Sequence, residues 1–233
     1  ARGPGAKDLS AMQTDDLIRS LAGDAKPVRR LAHPALRAVI WMMLSAGYVG
    51  LGVWLVGLRP DLMAKLSDQH FLIEVGAALL TSMMAAAAAF CAGCPGRPVW
   101  ERFAPFPFLA VWLASLGEGC WRQWSQTSAD GLQLQADFTC LQSISAVGLI
   151  PAVLILFMIK KGAPIAPRSA TGLAILAATA LAAAALRLFH TQDMSLMLLV
   201  WQFGSVALLA LLGFFAGQFF LRWQTLDLGK PAP

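Results

Sequence analysis

The stretch AVIWMMLSAGYVGLGVWLVGL, at residues 38–58, contains no charged side chain. A helix needs about 20 apolar residues to cross the hydrocarbon core of a bilayer, and this stretch is long enough. Further charge-free runs follow along the chain at residues 75–96, 103–117, 138–159, 169–186 and 194–221. The sequence therefore predicts an all-α, polytopic membrane protein with six transmembrane helices.

The composition supports the same class of protein. Of the 233 residues, 58% are hydrophobic and only 13% are charged, whereas a soluble domain carries about 25% charged residues. The alternating polar and apolar segments of an outer-membrane barrel are missing from the sequence. The run at residues 103–117 is short for a span, so we expect its helix to continue past Glu118 toward Trp121.

The distribution of Lys and Arg predicts the orientation of the spans. These cations resist translocation and therefore mark the cytoplasmic side of short loops. Of the 18 cations, all but four fall on one side of the spans, and the four exceptions lie among acidic residues. The four are Arg59, Lys65, Arg122 and Arg187. Both termini belong to the cation-rich side, so we expect both to be cytoplasmic.

The chain divides into four parts. Residues 1–11 are rich in small residues and lack the apolar core of a signal peptide, and we interpret them as a cloning remnant. Residues 12–36 form a cytoplasmic segment, residues 37–223 the six-helix transmembrane domain, and residues 224–233 a cytoplasmic tail. Too little sequence lies outside the spans for a soluble catalytic domain.

The cytoplasmic segment contains a predicted amphipathic helix in the sequence MQTDDLIRSLAG. Thr14 can cap its first turn, where two acidic side chains favour the positive end of the helix dipole. Leu17, Ile18 and Leu21 are spaced to lie on one flank, and Gly23 ends the helix. An apolar flank outside the spans needs a partner surface or the membrane interface.

Patterns typical of enzymes are missing from the sequence. It has no nucleophile elbow, no zinc-protease motif, no glycine-rich phosphate loop and no two histidines at metal-ligand spacing. Glu74, Glu118 and Arg187 each lie within about one turn of the predicted outer interface, where we expect them to pair or to extend toward water. The sequence therefore predicts neither an enzyme nor a cofactor.

The predicted topology divides the four cysteines into two pairs. Cys91 and Cys94 form a CxxC at the cytoplasmic end of the second span, and we interpret this single motif as two small buried residues. Cys120 and Cys140 belong to the outer side, where an oxidising compartment permits a disulfide. We expect the outer pair to form a disulfide or a reactive thiol pair. The sequence pattern does not decide whether a metal binds at Cys120 and Cys140.

Small residues in the last two spans predict close helix packing. Gly213 and Gly217 form a GxxxG motif, and the fifth span is rich in alanine. Homodimerisation through the sixth span fits this pattern, but packing within one bundle is the simpler interpretation.

Short motifs at the ends of the predicted spans carry a family resemblance. They begin with MQTDDLIRSLA and KPVRRL and continue with GLRPDL (57–62), PGRP (95–98), WLASLGEGC (112–120), TCL (139–141), KKGAP (160–164) and HTQDMSLMLLVWQ (190–202). In this order and placement, they resemble the NrsF-like anti-sigma factors, bacterial inner-membrane proteins that are negative regulators of an extracytoplasmic-function sigma factor. The resemblance extends over residues 12–223.

The resemblance implies a six-span domain and a short cytoplasmic N-terminal region that sequesters the sigma factor. On this basis, the predicted sigma-binding residues are Asp15, Asp16, Leu17, Ile18, Leu21, Arg29 and Arg30. It also implies that Cys120 and Cys140 take part in signalling metal or oxidative stress. Gln202 stands where the family often has a histidine, which argues against a metal ligand at that position.

The predicted mechanism is competition for the sigma factor. The apolar flank would fill a groove on the sigma factor, and the acidic residues would meet basic surface that otherwise faces promoter DNA or core polymerase. The protein itself would then bind the lipid bilayer and the sigma factor, and no nucleic acid. A small transporter or channel is the main alternative, and a membrane redox protein that uses both cysteine pairs is another, although the pairs lie on opposite sides.

Overall fold

The computed structural model describes residues 14–23, 32–94, 96–126, 138–162, 166–189 and 198–221. Every regular element among these residues is helical, so the predicted all-α class is confirmed. The chain forms two compact units, residues 1–31 and residues 32–233.

The described part of the first unit is one helix, α1, at Thr14–Gly23. It confirms the predicted helix and its end at a glycine. Ile18 is 58% exposed to solvent. Arg29 and Arg30, which are predicted sigma-binding residues, lie outside the described residues.

The second unit is a bundle of long helices joined by short elements. In chain order, these are α2 at Pro34–Val56, the single turn α3 at Leu62–Lys65, α4 at Gln69–Ala92, a 3₁₀ turn at Val99–Phe103, α5 at Phe106–Gln126, α6 at Phe138–Lys160, α7 at Pro167–Phe189, a π-helical segment at Leu198–Phe203, and α8 at Gly204–Phe220. Six of the described stretches are long and apolar enough to cross a membrane, which confirms the predicted number of spans. The third span begins in the 3₁₀ turn, and its helix continues past Glu118, as its short apolar run required.

Polar caps, rather than the limits of the apolar runs, determine where two of the spans begin. The Asp68 carboxylate accepts a hydrogen bond from the His70 amide at 2.9 Å, and α4 therefore begins at Gln69. The imidazole of His33 caps α2 in the same way. As a result, Glu74 lies inside α4 and not at the edge of a loop.

Helix α7 is at the centre of the bundle, with α4, α6 and α8 packed around it. Its alanines are buried, and Ala174, Ala177 and Ala178 have no exposed surface. Ser82 of α4 donates a hydrogen bond to the Ala177 carbonyl at 2.7 Å. Small side chains let the backbones approach closely, and this packing stabilises helix pairs in lipid, where no hydrophobic force brings helices together.

The GxxxG motif of α8 packs against α7 of the same chain. A Cβ atom on Gly213 would lie 2.6 Å from Ile175 Cγ1, and one on Gly217 would lie 2.7 Å from the Pro167 carbonyl oxygen. Only glycine fits at such contacts. The interpretation that the motif packs within the bundle is confirmed, and a homodimer would have to use a different surface.

The sixth span differs from the continuous α-helix that its hydropathy predicted. Its first described turn is π-helical, with one more residue per hydrogen-bonded turn than an α-helix. Gln202 of this segment is buried and donates a hydrogen bond to the Ala183 carbonyl of α7 at 3.1 Å. The ring of Phe203 meets Trp112 of α5 edge-on, with 5.6 Å between the ring centroids. Hydropathy does not reveal this change because π- and α-helical turns can be equally apolar.

Candidate functional site

The bundle has two chemically different ends. The proximal end is where α2 and α7 begin and where α4 and α6 end. The distal end is where α4 and α6 begin and where α5 and α7 end. The sequence-predicted sensing cysteines belong to the distal end, and the CxxC motif belongs to the proximal end.

Cys120 and Cys140 lie on two helices that share a neighbour. Cys120 is half-buried in the C-terminal part of α5, and Cys140 is buried in the first turns of α6. Both α5 and α6 contact the π-helical segment. A chemical change at either thiol would therefore act on a helix that packs against the same segment.

A buried ion pair connects α4 and α7 near the distal end. Glu74 Oε1 lies 2.9 Å from Arg187 Nε, and Arg187 Nη2 donates a hydrogen bond to Glu74 Oε2 at 3.1 Å. The two side chains are only 3% and 8% exposed, and the guanidinium lies 5.3 Å from the ring centre of Phe71. The expectation that these charges pair is confirmed. Glu118 also pairs, with Arg122 one turn later on the exposed surface of α5.

Polar contacts hold the loop after α2 against the bundle. The side chain of Arg59 is 1% exposed and makes two contacts of 2.7 Å with the Asp61 carboxylate. Its backbone amide donates a hydrogen bond to the Leu188 carbonyl at 3.1 Å. His70 Nε2 lies 2.9 Å from the Ser115 carbonyl oxygen and links α4 to α5. The GLRPDL motif therefore has a structural role at this end.

The proximal end carries a buried cation and the CxxC motif. The Arg37 guanidinium donates a hydrogen bond to the Met158 carbonyl of α6 and lies 4.4 Å from the ring centre of Phe90. Cys91 and Cys94 are half-buried, whereas the sequence interpretation expected both to be buried. Cys91 lies in the last turn of α4, and Cys94 lies two residues beyond the end of this helix.

The described residues offer binding surfaces and thiols rather than a metal centre. Among them, no group of three or more His, Cys, Asp or Glu side chains is arranged to hold a metal ion. Sequence reasoning missed two structural features: the burial of Arg37 and the π-helical segment. The burial of Arg37 could have been suspected because this cation directly precedes a charge-free run. The irregular segment could have been suspected because an amide side chain, Gln202, lies inside another such run.

Fold and site together define a polytopic, all-helical membrane protein with a separate amphipathic N-terminal helix. The model of the family NrsF, negative regulator of sigma F, matches residues 21–223, and the chain belongs to this family. It is therefore a negative regulator of a sigma factor, that is, an anti-sigma factor. No curated protein and no solved structure matches the chain.

The family match covers all six spans but only part of the predicted sigma-binding segment. Leu21, Arg29 and Arg30 lie within the matched range. The first turns of α1 precede it, and they contain Asp15, Asp16, Leu17 and Ile18.

Proposed function

We propose that the protein sequesters an extracytoplasmic-function sigma factor through its N-terminal segment and releases it when metal or oxidative stress acts on the distal cysteines. The observation that carries the first part is helix α1, which presents an exposed Ile18 in a unit separate from the spans. A groove on the sigma factor would cover the flank that Ile18 shares with Leu17 and Leu21.

The charges of α1 suit the same partner. Asp15 and Asp16 lie in its first turn. Acidic side chains beside an apolar flank complement a protein whose functional surface faces DNA. Capture of a sigma factor by the detergent-solubilised full chain tests this proposal directly.

We also propose that the proximal end, both termini and α1 are cytoplasmic, in the inner membrane of a bacterium. The proposal is supported by Arg37, Arg97, Arg102, Lys160 and Lys161, which all belong to the proximal end. The N-terminal segment and the distal cysteines are then on opposite sides of the membrane.

A labelling experiment tests this orientation. In a chain whose native cysteines are replaced by serine, Ser125→Cys is expected to react with an impermeant maleimide in intact spheroplasts, and Lys161→Cys only after permeabilisation. Both positions are exposed, so accessibility to the reagent differs only by side of the membrane. Labelling of Lys161→Cys alone in intact spheroplasts would invert the orientation.

Stress sensing is proposed at Cys120 and Cys140, with the π-helical segment as the element that relays it. Oxidation or metal binding at these thiols would change how α5 and α6 pack on that segment. The segment continues into α8, and α8 packs along α7 toward the proximal end. A change of the π-helical turn between two conformations would alter the packing of α8 on α7. This change relays a signal only if the two conformations of the protein bind the sigma factor with different affinities.

Single substitutions of the four cysteines test the sensing proposal. Cys120→Ser and Cys140→Ser are each expected to abolish induction of a sigma-dependent reporter by cadmium while capture of the sigma factor is retained. Cys91→Ser and Cys94→Ser are the matched controls at the proximal end, and they are expected to keep normal induction. Reporter output is measured with and without cadmium and is normalised to the amount of protein in the membrane.

Two other results would contradict sensing. Normal induction in both distal variants would remove Cys120 and Cys140 from the mechanism. High output without cadmium, together with depleted protein, would instead indicate a structural disulfide, whose loss costs about 3 kcal/mol of stability.

A further inference from the structure

An apolar groove lies at the surface of the bundle, between α5 on one side and α7 and α8 on the other. Its volume is about 510 Å³, which is in the range of small-molecule binding sites. Gly172, Leu173 and Leu176 of α7 line it on one side. The aromatic residues Phe106, Phe203 and Phe214 also line it.

One cation lies in the lining of this groove. Arg102, in the 3₁₀ turn at the proximal end, is half-buried and lines the groove together with Phe103. The adjacent acid, Glu101, is directed to Arg97, with 3.3 Å between its Oε2 and the Arg97 Nε. No carboxylate pairs with Arg102 within the described ranges. The groove therefore combines an apolar channel with a cation at its proximal mouth.

A second groove of similar size lacks this combination. It lies between α2, α4 and α7, has a volume of about 490 Å³, and is lined by residues such as Ala46, Val53 and Leu181. Its lining contains no charged side chain. Both grooves are apolar, but of these two only the first offers a partner for an anion.

We propose that the groove between α5, α7 and α8 binds one anionic phospholipid. The phosphate would lie at Arg102, and an acyl chain would extend along α7 toward Phe203. Guanidinium groups bind phosphate through strong, charge-assisted hydrogen bonds. Basic pockets between transmembrane helices on the cytoplasmic side are known to hold anionic headgroups, and the low dielectric of the interface strengthens the attraction.

The bound lipid would contact a structurally sensitive part of the bundle. Phe203 is the last residue of the π-helical segment, and its ring packs on Trp112. On the other side of the groove, α7 and α8 pack closely at Gly172 and Phe214. A Cβ atom added to Gly172 would lie 3.0 Å from the Phe214 Cβ. A lipid in the groove would thus bridge α5 and α8 beside the junction between the π-helical segment and α8.

Lipid binding to the purified full chain tests the proposal. The protein in detergent is titrated with phosphatidylglycerol or with phosphatidylcholine of the same acyl chains, and bound lipid is counted by native mass spectrometry. One phosphatidylglycerol is expected to bind about fivefold more tightly than phosphatidylcholine, since one basic residue near an anionic lipid contributes a preference of this size. Arg102→Gln is expected to remove this preference.

Matched variants separate the groove from general attraction to the membrane. Lys161→Gln removes an exposed cation of the same end and is expected to keep the preference. Ala207→Phe fills the proposed groove and is expected to reduce binding of both lipids there, whereas Ala46→Phe fills the second groove and is expected to leave the headgroup preference unchanged.

Three results would overturn the proposal. They are equal binding of both lipids by the unchanged chain, an unchanged preference in Arg102→Gln, and the same lipid binding in Ala207→Phe and Ala46→Phe. Occupation of the groove by a segment of protein would give the first of these results. Because Arg102 is near the surface, its substitution keeps the test valid even where Ala207→Phe does not fold.

Discussion

Replacement of Leu17 and Leu21 by Asp is expected to abolish capture of the sigma factor by the full-length chain. Each apolar anchor of an interface contributes about 2 kcal/mol, so loss of both should weaken binding on the order of a thousandfold. The new carboxylates would also be buried without partners in the apolar groove of the sigma factor. Capture is measured by co-purification with the detergent-solubilised protein, and release in the cell is measured as increased sigma-dependent transcription.

The matched control places the same two charges elsewhere on α1. Arg19→Asp and Gly23→Asp lie on the side of α1 opposite Leu17, Ile18 and Leu21, so this double variant is expected to capture the sigma factor almost normally. Normal repression by Leu17→Asp/Leu21→Asp at a normal membrane level would contradict docking through α1. Equal loss in both double variants would indicate that added negative charge, and not the apolar flank, governs binding.

Arg187→Leu is expected to lower the free energy of unfolding by about 3–5 kcal/mol, because it leaves Glu74 in a buried site without the guanidinium that now pairs with it. The double variant Glu74→Leu/Arg187→Leu is expected to recover most of this loss, since buried ion pairs are often no more stabilising than apolar residues of similar size. The measurement is thermal unfolding of the purified protein in detergent. In cells, the single variant should show depleted protein and constitutive sigma activity.

The exposed pair of Glu118 and Arg122 provides the control for this experiment. Its side chains are 54% and 60% exposed, and Arg122→Leu is expected to change stability by less than about 1 kcal/mol. If the double variant at Glu74 and Arg187 were as unstable as the single one, the pair would stabilise the bundle by a specific interaction and not merely neutralise buried charge. A change below about 1 kcal/mol in Arg187→Leu would mean that the site is hydrated.

At the two candidate sites, the positions of the residues could be predicted from the sequence, but their contacts could not. The segment around Leu17 and Ile18 was found because an amphipathic helix leaves a local, periodic pattern in the sequence. The common end of Cys120 and Cys140 was found because the order of the spans alone places them there. Their burial and the segment that α5 and α6 share were not predictable, because they depend on contacts between helices distant in the chain.

The amino-acid sequence was sufficient to predict the all-α class, the six spans, the helix at residues 14–23 and the division of cysteines between the two ends. These follow from local hydropathy and periodicity, since each span must satisfy its backbone hydrogen bonds within itself in lipid. The packing of the helices was needed to show that α7 is central, that Gly213 and Gly217 pack against it, that Glu74 meets Arg187, and that the sixth described span begins with a π-helical turn. Those features are set by which helices face one another, and all the spans are similarly apolar, so hydropathy carries little information about their partners.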